Sequence, residues 1–369
     1  MKKGQSSLSV ILPTYNERGN IKPLVEKLVE KLSSSLLEIL VVDDDSPDGT
    51  ADLARELAHS YNQLRLIRRV GRAGLASAIK EGLLDATGDL AVVMDCDGQH
   101  DPETIERALN TLISENLDLV IGSRFHHDAT ISGLSKKREA GSTIANRIAR
   151  FSLPKEYSNL SDYMTGFFAI RINNRALSAI RGVEVNGFKF LYELLAVSRG
   201  RFKTSEVPLH FQERVSGESK LDISILWDFI VSALHTFCLR ILPRRAISFG
   251  LVGISGVAVQ IATTFLLMEI FELNFKTALP VGVISASCSN YLINNALTFR
   301  FNRLKNGALI RGLFKFLIVS SLPVIANVGL ATAFYAQISS NTLLAQMIGI
   351  LVAFVWNYAA SSKFVWNTP

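Results

Sequence analysis

Two carboxylates, Asp95 and Asp97, follow an apolar run of strand length at residues 90–94. At the end of a buried parallel strand, alternate side chains point the same way, so both can reach the crevice beyond the sheet edge. Hard cations such as Mg²⁺ or Mn²⁺ prefer oxygen ligands of this kind, and Gln99 adds one more oxygen. The stretch therefore predicts a metal site made of Asp95, Asp97 and Gln99. A polar turn before the helix that begins at Pro102 is the alternative interpretation.

Two further polar clusters follow apolar runs earlier in the chain. Asn16 and Glu17 come shortly after residues 8–12, and three adjacent aspartates, Asp43 to Asp45, come directly after residues 37–42. An ordinary helix start is the alternative interpretation of the first cluster. Adjacent like charges repel unless water, cations or ligand donors satisfy them, so the three aspartates favour a ligand site.

The elements that position these side chains alternate between strand and helix. Strand-like runs at residues 8–12, 37–42, 64–67 and 90–94 are each followed by a helical pattern. This alternation predicts an α/β domain with a mixed, mostly parallel sheet that is covered on both faces. Ligands of such sheets bind at the carboxyl ends of the strands, where all the polar clusters lie.

Composition divides the 369 residues into two halves. Charged and apolar segments alternate up to about residue 220, and charges nearly vanish from long runs after it. Mean hydropathy is +0.25, which is too apolar for a purely soluble enzyme and indicates a membrane half. The net charge of +6 fits a surface that faces anionic lipid, and no basic tract with interleaved aromatics favours nucleic acid. Three cysteines without metal spacing indicate a reduced compartment, and no signal peptide is expected.

Five motifs, in this order, resemble the family 2 glycosyltransferases with the GT-A fold, and among these the dolichol-phosphate mannose synthases. The motifs are Pro13-Thr14-Tyr15-Asn16-Glu17, Val41-Val42-Asp43-Asp44-Asp45-Ser46-Pro47-Asp48-Gly49-Thr50, Asp95-x-Asp97-x-Gln99-His100, Gly122-Ser123-Arg124 and Gly217-Glu218-Ser219-Lys220-Leu221. The resemblance covers residues 8–221. It implies inverting transfer of mannose from GDP-mannose to the phosphate of dolichol or another polyprenyl phosphate.

The resemblance also implies roles for individual residues. The nucleotide and donor contacts would be Pro13, Tyr15, Glu17, Asp44, Asp45, Asp95, Asp97, Gln99, Arg214 and Lys220. The metal ligands would be Asp95, Asp97 and Gln99, and the acceptor-phosphate contacts Arg124, Arg138 and Ser142. The residues acting in catalysis would be Asp97, Arg124, Arg214 and Lys220. Asp162 and Gly166-Phe167-Phe168 resemble one further family segment, and Gly187-Phe188-Lys189 resembles a later one whose role is assigned only loosely.

The chemistry of such a transfer can be argued from the reactants alone. A lipid phosphate is already an anion near neutral pH, so it needs no general base. The enzyme must bring two polyanions together and stabilise the charge that develops on the departing diphosphate, which a metal ion and arginines can do. The segment 216–220 has the small residues of a lid that excludes water, although a linker to the membrane half is the alternative.

The second half has the lengths and composition of membrane elements. Residues 223–242 are apolar with a thin polar stripe, which indicates amphipathic helices at the membrane interface. Four later segments, 249–271, 278–299, 313–337 and 343–366, are each long enough to cross a bilayer. The predicted domains are therefore a GT-A domain at 1–221, interfacial helices at 222–245 and a four-helix transmembrane domain at 246–369.

The four segments repeat with an offset of 67 residues, so that Phe249 and Tyr291 fall on Phe316 and Tyr358. This predicts two parallel helical hairpins and resembles a GtrA-like membrane domain. Basic residues crowd the connection after the second segment, which predicts a cytoplasmic enzyme half. Two other functions stay open: a UDP-glucose-dependent polyprenyl-phosphate glucosyltransferase, and a non-catalytic transporter of lipid-linked sugars. No protein partner is predicted.

Overall fold

The computed structural model describes residues 6–71, 74–98, 100–101, 103–129, 136–185, 189–210, 223–321 and 342–367. The chain forms two compact units, Met1–Phe237 and Cys238–Pro369.

The first unit is built on a seven-stranded sheet with the strand order β3-β2-β1-β4-β6-β5-β7. The strands are β1 (Leu8–Thr14), β2 (Leu36–Asp43), β3 (Leu64–Arg68), β4 (Leu90–Val93), β5 (Leu119–Ser123), β6 (Phe168–Arg171) and β7 (Thr204–Pro208). All neighbouring pairs are parallel except those of β6, which runs antiparallel to β4 and β5. The mixed, mostly parallel sheet is therefore confirmed, and six strands end at one edge.

Helices cover both faces of this sheet. They are α1 (Arg18–Leu32), α2 (Thr50–Ser60), α3 (Leu75–Asp85), α4 (Glu103–Ser114), α5 (Lys136–Ser152), α6 (Asn174–Gly182), α7 (Phe190–Ser198) and α8 (Ile223–Phe237), with a 3-10 turn at Lys155–Tyr157. Alternate residues of β1 face opposite cores: Val10 and Leu12 pack with α1, and Ile11 packs with α3. Side chains of a buried strand alternate in this way because its period is two. A Cβ on Gly82 of α3 would lie 2.6 Å from Ile11 Cγ2, so the close packing of α3 on the sheet requires glycine there.

The described part of residues 222–245 contains helix α8 and the start of the next helix, α9 (Arg244–Glu269). Helix α8 packs on α7 through Phe229, whose ring meets that of Tyr192 edge-on at 5.7 Å, and through a hydrogen bond from Ser232 to Glu193. The chain then turns, because Leu239 and Arg240 adopt positive φ angles that end the helical path.

The second unit is helical. Its elements are α9 (Arg244–Glu269), α10 (Phe275–Ile293), a π-helical turn (Asn294–Thr298), a 3-10 turn (Arg300–Asn302), α11 (residues 307–321) and α12 (Thr342–Phe364). Among the described residues, α9 is long and apolar enough to cross a bilayer. The predicted third crossing falls on α11 only as far as residue 321, and its remainder lies outside the described residues.

An aromatic cluster joins the helices of the second unit and follows the 67-residue repeat. Phe249 of α9 lies 5.7 Å from the ring of Tyr358, and Phe316 of α11 lies 5.7 Å from the ring of Tyr291. Between these two pairs, Phe299 stacks on Trp366 at 4.1 Å and 10°. Residues related by the repeat thus make matching contacts, each across to the other hairpin.

Candidate active site

The loop after β4 brings Asp95 and Asp97 to the edge where six strands end. The strand is extended by one residue, since the backbone N–H of Met94 donates to the carbonyl of Ile11 at 3.2 Å. Asp97 is buried and Asp95 is half-buried. The loop folds back on itself, because the backbone N–H of Asp95 donates to Nδ1 of buried His100 at 3.0 Å. This bond fixes the loop and places the neutral imidazole's proton on Nε2, 3.8 Å from Asp95 Oδ2.

Asp95 is also fitted closely to the segment before β6. A Cβ on Gly166 would lie 2.5 Å from Asp95 Oδ2, so any larger residue would displace this carboxylate. The next residue, Phe167, meets the His100 ring edge-on at 5.9 Å. Residues 166 and 167 therefore define where Asp95 and His100 sit.

A third carboxylate, Glu17, belongs to the same electrostatic cluster. Burial raises the pKa of the Cys96 thiol, and the negative charges of Glu17, Asp97 and Asp95 raise it further. The charges of all three carboxylates therefore reach the Cys96 thiol. Carboxylate oxygens at one sheet edge are the ligands that suit a hard divalent cation.

Opposite these carboxylates, Arg124 follows β5 and is held by Asp162. Arg124 Nε donates to Asp162 Oδ2 at 2.7 Å and Nη2 donates to Oδ1 at 3.0 Å, while Asp162 is fully buried. Burial acts to lower the pKa of Arg124, but the charge and hydrogen bonds of Asp162, with the charge of Asp95, outweigh it and raise the pKa. Glu206 in turn accepts the backbone N–H groups of Ser161 and Asp162 at 2.7 and 3.2 Å. The guanidinium is therefore a rigidly placed cation at the carboxylate edge.

A second cation at this edge is Lys189, which the sequence analysis assigned only loosely. It is half-buried and precedes α7, whose first residue, Phe190, stacks on Phe168 at the start of β6. Burial lowers the pKa of Lys189, and its ammonium also interacts with Asp95, Arg124 and Asp162. Lys189 therefore shares the site with residues that come from β4 and β5.

The end of β1 forms a tight turn that is tied to the turn after β2. Asn16 adopts a φ of 62°, and its N–H donates to Ser46 Oγ at 3.0 Å. The N–H of Glu17 donates to Thr50 Oγ1 at 3.0 Å, and Asn20 Nδ2 donates to Glu17 Oε2 at 2.7 Å. The half-buried ring of Tyr15 and buried Pro13, which the resemblance placed at the nucleotide, lie on this strand end.

The three aspartates after β2 differ in their surroundings. Asp43 closes its own turn by accepting the N–H and Oγ of Ser46 at 2.9 and 2.6 Å. Buried Asp44 lies 2.9 Å from Arg69 Nη1 through Oδ1 and accepts the Gly74 N–H at 2.8 Å through Oδ2. Asp45 is exposed. Their mutual repulsion is therefore relieved in part by protein donors, and Asp44 holds the chain that leads into α3.

The predicted acceptor contacts lie on α5. Ser142 is half-buried, and Arg138 lies one turn before it, with its side chain outside the described set. One turn after Ser142, Asn146 Oδ1 accepts the N–H of Tyr163, next to Asp162, at 2.9 Å. The other amide atom, Asn146 Nδ2, is buried without a hydrogen-bond partner. Asn146 thus joins helix α5 to the segment that holds Arg124, and its Nδ2 is a spare donor.

Several predicted residues fall outside the described residues, namely Gln99, Arg214 and Lys220. Two residues at the site had no assigned role in the sequence analysis, Arg69 and the His100 ring. Arg69 follows β3, and its position after an apolar strand was the signal that could have identified it.

A different cluster, His126, His127 and Asp128, places three possible metal-ligating atoms within 4.8 Å of one another. Its two imidazoles suit softer transition metals better than Mg²⁺.

Comparisons with known proteins point to one family. Glycosyl transferase family 2 matches residues 9–174, and the GtrA/DPMS transmembrane domain matches residues 248–366. A dolichol-phosphate mannosyltransferase of Pyrococcus furiosus is 32% identical over 364 residues, covering 98% of this chain and 99% of the relative. The dolichol-phosphate mannosyltransferase of Saccharomyces cerevisiae is 34% identical over 248 residues, covering 65% of this chain and 91% of the relative.

Among solved structures, a mannosyltransferase from Pyrobaculum calidifontis in complex with GDP-Man and Mn²⁺ aligns with all of this chain and 89% of its own. The TM-score is 0.45 and the identity 16%, so this similarity supports no conclusion about substrates.

Proposed function

The chain belongs to the dolichol-phosphate mannosyltransferase family within glycosyl transferase family 2, and we propose that it transfers mannose from GDP-mannose to a polyprenyl phosphate such as dolichyl phosphate. The chain spans nearly the whole length of the relative from Pyrococcus furiosus, so the proposal covers both the catalytic and the membrane part. The observation on which it rests is the meeting, at one sheet edge, of the Glu17, Asp95 and Asp97 carboxylates with the Arg124–Asp162 pair.

On the donor side, we propose that Asp95, Asp97 and Gln99 hold Mg²⁺ or Mn²⁺. When bound, the ion supplies Lewis-acid stabilisation of the departing diphosphate. Pro13, Tyr15, Glu17, Asp44 and Asp45 hold the nucleotide in this proposal, and Arg214 and Lys220 close over the diphosphate. The tie between the turns after β1 and β2 supports a preformed nucleotide site, because their backbone is fixed before any ligand arrives.

On the acceptor side, Arg124, Arg138 and Ser142 orient the lipid phosphate. The phosphate is anionic at neutral pH and attacks the sugar carbon directly, so no side chain has to remove a proton. Attack from the face opposite the diphosphate inverts the sugar configuration. The rigid guanidinium of Arg124 brings the two anions together, and the spare Asn146 donor supports an anionic acceptor beside α5.

In the membrane, we propose four crossings with the enzyme half on the cytoplasmic side. The predicted boundaries are residue 221 for the catalytic domain and residue 245 for the interfacial region. The charge distribution supports this orientation, since basic residues precede the first and third segments. Of the basic residues, only Lys276 lies in the connections between the first and second and between the third and fourth segments. The basic residues are Arg240, Arg244, Arg245, Arg300, Arg303, Lys305, Arg311 and Lys315.

The test is transfer of radiolabelled mannose from GDP-mannose to a polyprenyl phosphate by the full chain in nanodiscs, with and without chelator. We expect chelator to abolish transfer, Mg²⁺ or Mn²⁺ to restore it, and Asp97→Asn to lower it by about a hundredfold or more. Asp128→Asn is the matched control, since it removes a carboxylate from the His126 cluster and should leave transfer unchanged. Faster transfer from UDP-glucose would overturn the donor assignment, and loss of metal stimulation in Asp128→Asn alone would overturn the metal assignment.

A further inference from the structure

Two adjoining cavities lie at the sheet edge opposite the candidate active site. Strand β5 starts beside the larger one, at Leu119, and ends beside Arg124, roughly 15 Å away. The cavity volumes are about 530 and 320 Å³, within the range of sites that bind small molecules. Asn174 and Arg175, the first residues of α6, line both cavities, so the two meet at the start of that helix.

The lining of these cavities carries an excess of positive charge. Arg171, Arg175 and Lys203 line the larger cavity. Arg201 lines the smaller one together with Arg175. Asp118 also lines the larger cavity, and its Oδ2 lies 3.5 Å from Arg175 Nη1. Within the described residues, the other three cations have no carboxylate oxygen within 4.0 Å. An anionic ligand therefore suits this lining.

Backbone carbonyls hold the arginines in place without neutralising them. Arg171 Nε donates to the carbonyl of Leu117 at 3.3 Å, and its Nη2 donates to that of Leu112 at 3.2 Å. Arg175 Nη1 donates to the carbonyl of Arg201 at 3.3 Å. A guanidinium has five N–H donors, so both arginines keep further donors for a ligand. Side chains that are positioned before the ligand arrives lose less entropy on binding.

The start of α6 adds to the positive potential of the larger cavity. Asn173 caps this helix, since its Oδ1 accepts the N–H of Ala176 at 2.9 Å, and Asn173 itself lines the cavity. The N-terminal end of a helix carries the positive end of its dipole. This end therefore lies beside the same space as Arg171 and Lys203.

We infer that the two cavities, which we call the α6 site, bind a compact phosphate anion with two phosphoryl groups, without a metal ion. Four basic side chains and a single carboxylate among the described lining residues suit phosphate oxygens and not a divalent cation. Two phosphoryl groups match two adjoining cavities, and Arg175 is common to both. The ligand is a soluble diphosphate or bisphosphate, or a phosphorylated lipid headgroup, since these share the chemistry that the site recognises.

The first test measures ligand binding at one identified side chain. The full chain in phosphatidylcholine nanodiscs, with chelator present, is titrated with inorganic pyrophosphate, and brief acetylation of single lysines is followed by mass spectrometry. We expect pyrophosphate to slow acetylation of exposed Lys203 about fivefold or more, because a bound phosphate holds its ammonium. Lys22, which is 60% exposed on α1, is the reference lysine and should react at an unchanged rate.

The second test uses calorimetry on matched variants under the same conditions. Arg175→Gln should weaken pyrophosphate binding about tenfold or more, because it removes the guanidinium common to both cavities. Its Tm should stay within a few degrees of wild type, since the Arg175 side chain is 56% exposed. Arg181→Gln makes the same change at an exposed position at the other end of α6 and should bind pyrophosphate like wild type.

Three results would overturn the inference. They are binding of pyrophosphate without protection of Lys203, equal affinity of Arg175→Gln and Arg181→Gln, and binding that requires added Mg²⁺. None of these measurements needs mannose transfer, so they leave the proposed function to its own test.

A further arm identifies the source of the phosphate. The acetylation experiment is repeated without pyrophosphate in nanodiscs that contain phosphatidylinositol bisphosphate. Protection of Lys203 in these nanodiscs would support the site and assign it to a lipid headgroup. Protection by free pyrophosphate alone would support the site and assign it to a soluble ligand. Protection by neither would overturn the inference.

Discussion

The ion pair between Arg124 and Asp162 makes a quantitative prediction about the catalytic unit. Asp162 is fully buried and the Arg124 side chain is 15% exposed, so water cannot solvate either charge if its partner is removed. Removing one member of a buried pair leaves an uncompensated charge and typically costs about 3–5 kcal/mol. Asp162→Asn keeps the side-chain shape but removes the negative charge. The amide group of the asparagine then faces the guanidinium donors of Arg124.

For a unit of this size we expect Asp162→Asn to lower the Tm of the catalytic unit by about 10 °C, measured by intrinsic fluorescence on the full chain in nanodiscs. The matched control is Asp52→Asn, which removes a carboxylate 2.8 Å from Arg55 in a pair whose side chains are 53% and 68% exposed. Such exposed pairs contribute less than about 1 kcal/mol, so the control should lose at most a few degrees.

Two results would refute this reasoning. One is a Tm for Asp162→Asn as close to wild type as that of Asp52→Asn. The other is additivity: if Arg124→Met and Asp162→Asn together destabilise by the sum of their separate effects, the two groups do not compensate each other. We expect the double variant to be clearly more stable than that sum, because it leaves no buried charge.

Three further predictions follow from single contacts. Burial alone would raise the pKa of Glu38, but hydrogen bonds from Thr87, Ser9 and Arg65 lower this pKa below the ordinary 4.5. The ionised Glu38 therefore stabilises the fold above pH 4.5, and this stabilisation is lost as the pH falls through the pKa of the folded state. Glu38→Gln should therefore be less stable at pH 7 by about 2 kcal/mol and lose less stability on acidification, as acid titration of unfolding would show. Gly166→Ala should lower the rate of transfer roughly a hundredfold while leaving folding nearly intact, because its Cβ would displace the Asp95 carboxylate. Gly256→Leu should lower the Tm of the membrane unit by several degrees, since even a Cβ there meets the Asn290 amide.

Each of these has a control in the same kind of element. Glu30→Gln removes an exposed carboxylate on α1 and should leave the acid transition unchanged. A Cβ on Gly141 or Gly253 meets none of the neighbouring atoms that the structure describes within 4 Å, so Gly141→Ala and Gly253→Leu should be tolerated. Transfer by Gly166→Ala at the wild-type rate, or thermal unfolding of Gly256→Leu like that of Gly253→Leu, would contradict the close contacts on which these expectations rest.

Local sequence patterns predicted the strand ends well, because a buried parallel strand has a distinctive composition and its carboxyl end is a fixed place in the sheet. Asp95 and Arg124 follow β4 and β5, and the parallel relation of these strands brings them to the same edge. What lies between them was not predictable from those patterns. Strand β6 is inserted antiparallel between β4 and β5, and Asp162 and Gly166 precede it, so their contacts depend on a pairing between residues 75 to 81 positions apart in sequence, from Val93–Phe168 to Leu90–Arg171.

The outer side of α5 shows a different limit. Ile144, Ile148 and Phe151 have the spacing of a core-facing helix. Apolar residues at this spacing indicate that one helix face is buried, but they do not indicate what buries it. The protein core covers the other side of α5, through Ala149 and Asn146. The position of Lys189 could not be predicted either, since a lysine before an apolar helix is ordinarily a surface residue. In the fold it is near enough to Asp95 for that charge to act on its ammonium.

The crossed aromatic contacts of the membrane unit have a consequence for how that unit is assembled. Phe249 and Tyr291 of the earlier hairpin contact Tyr358 and Phe316 of the later hairpin, respectively. Neither hairpin can therefore finish packing in isolation, and a half-domain produced alone would leave unmatched rings facing lipid. If the two hairpins are expressed as separate polypeptides, we expect each to reach its native packing only when it associates with the other in the bilayer.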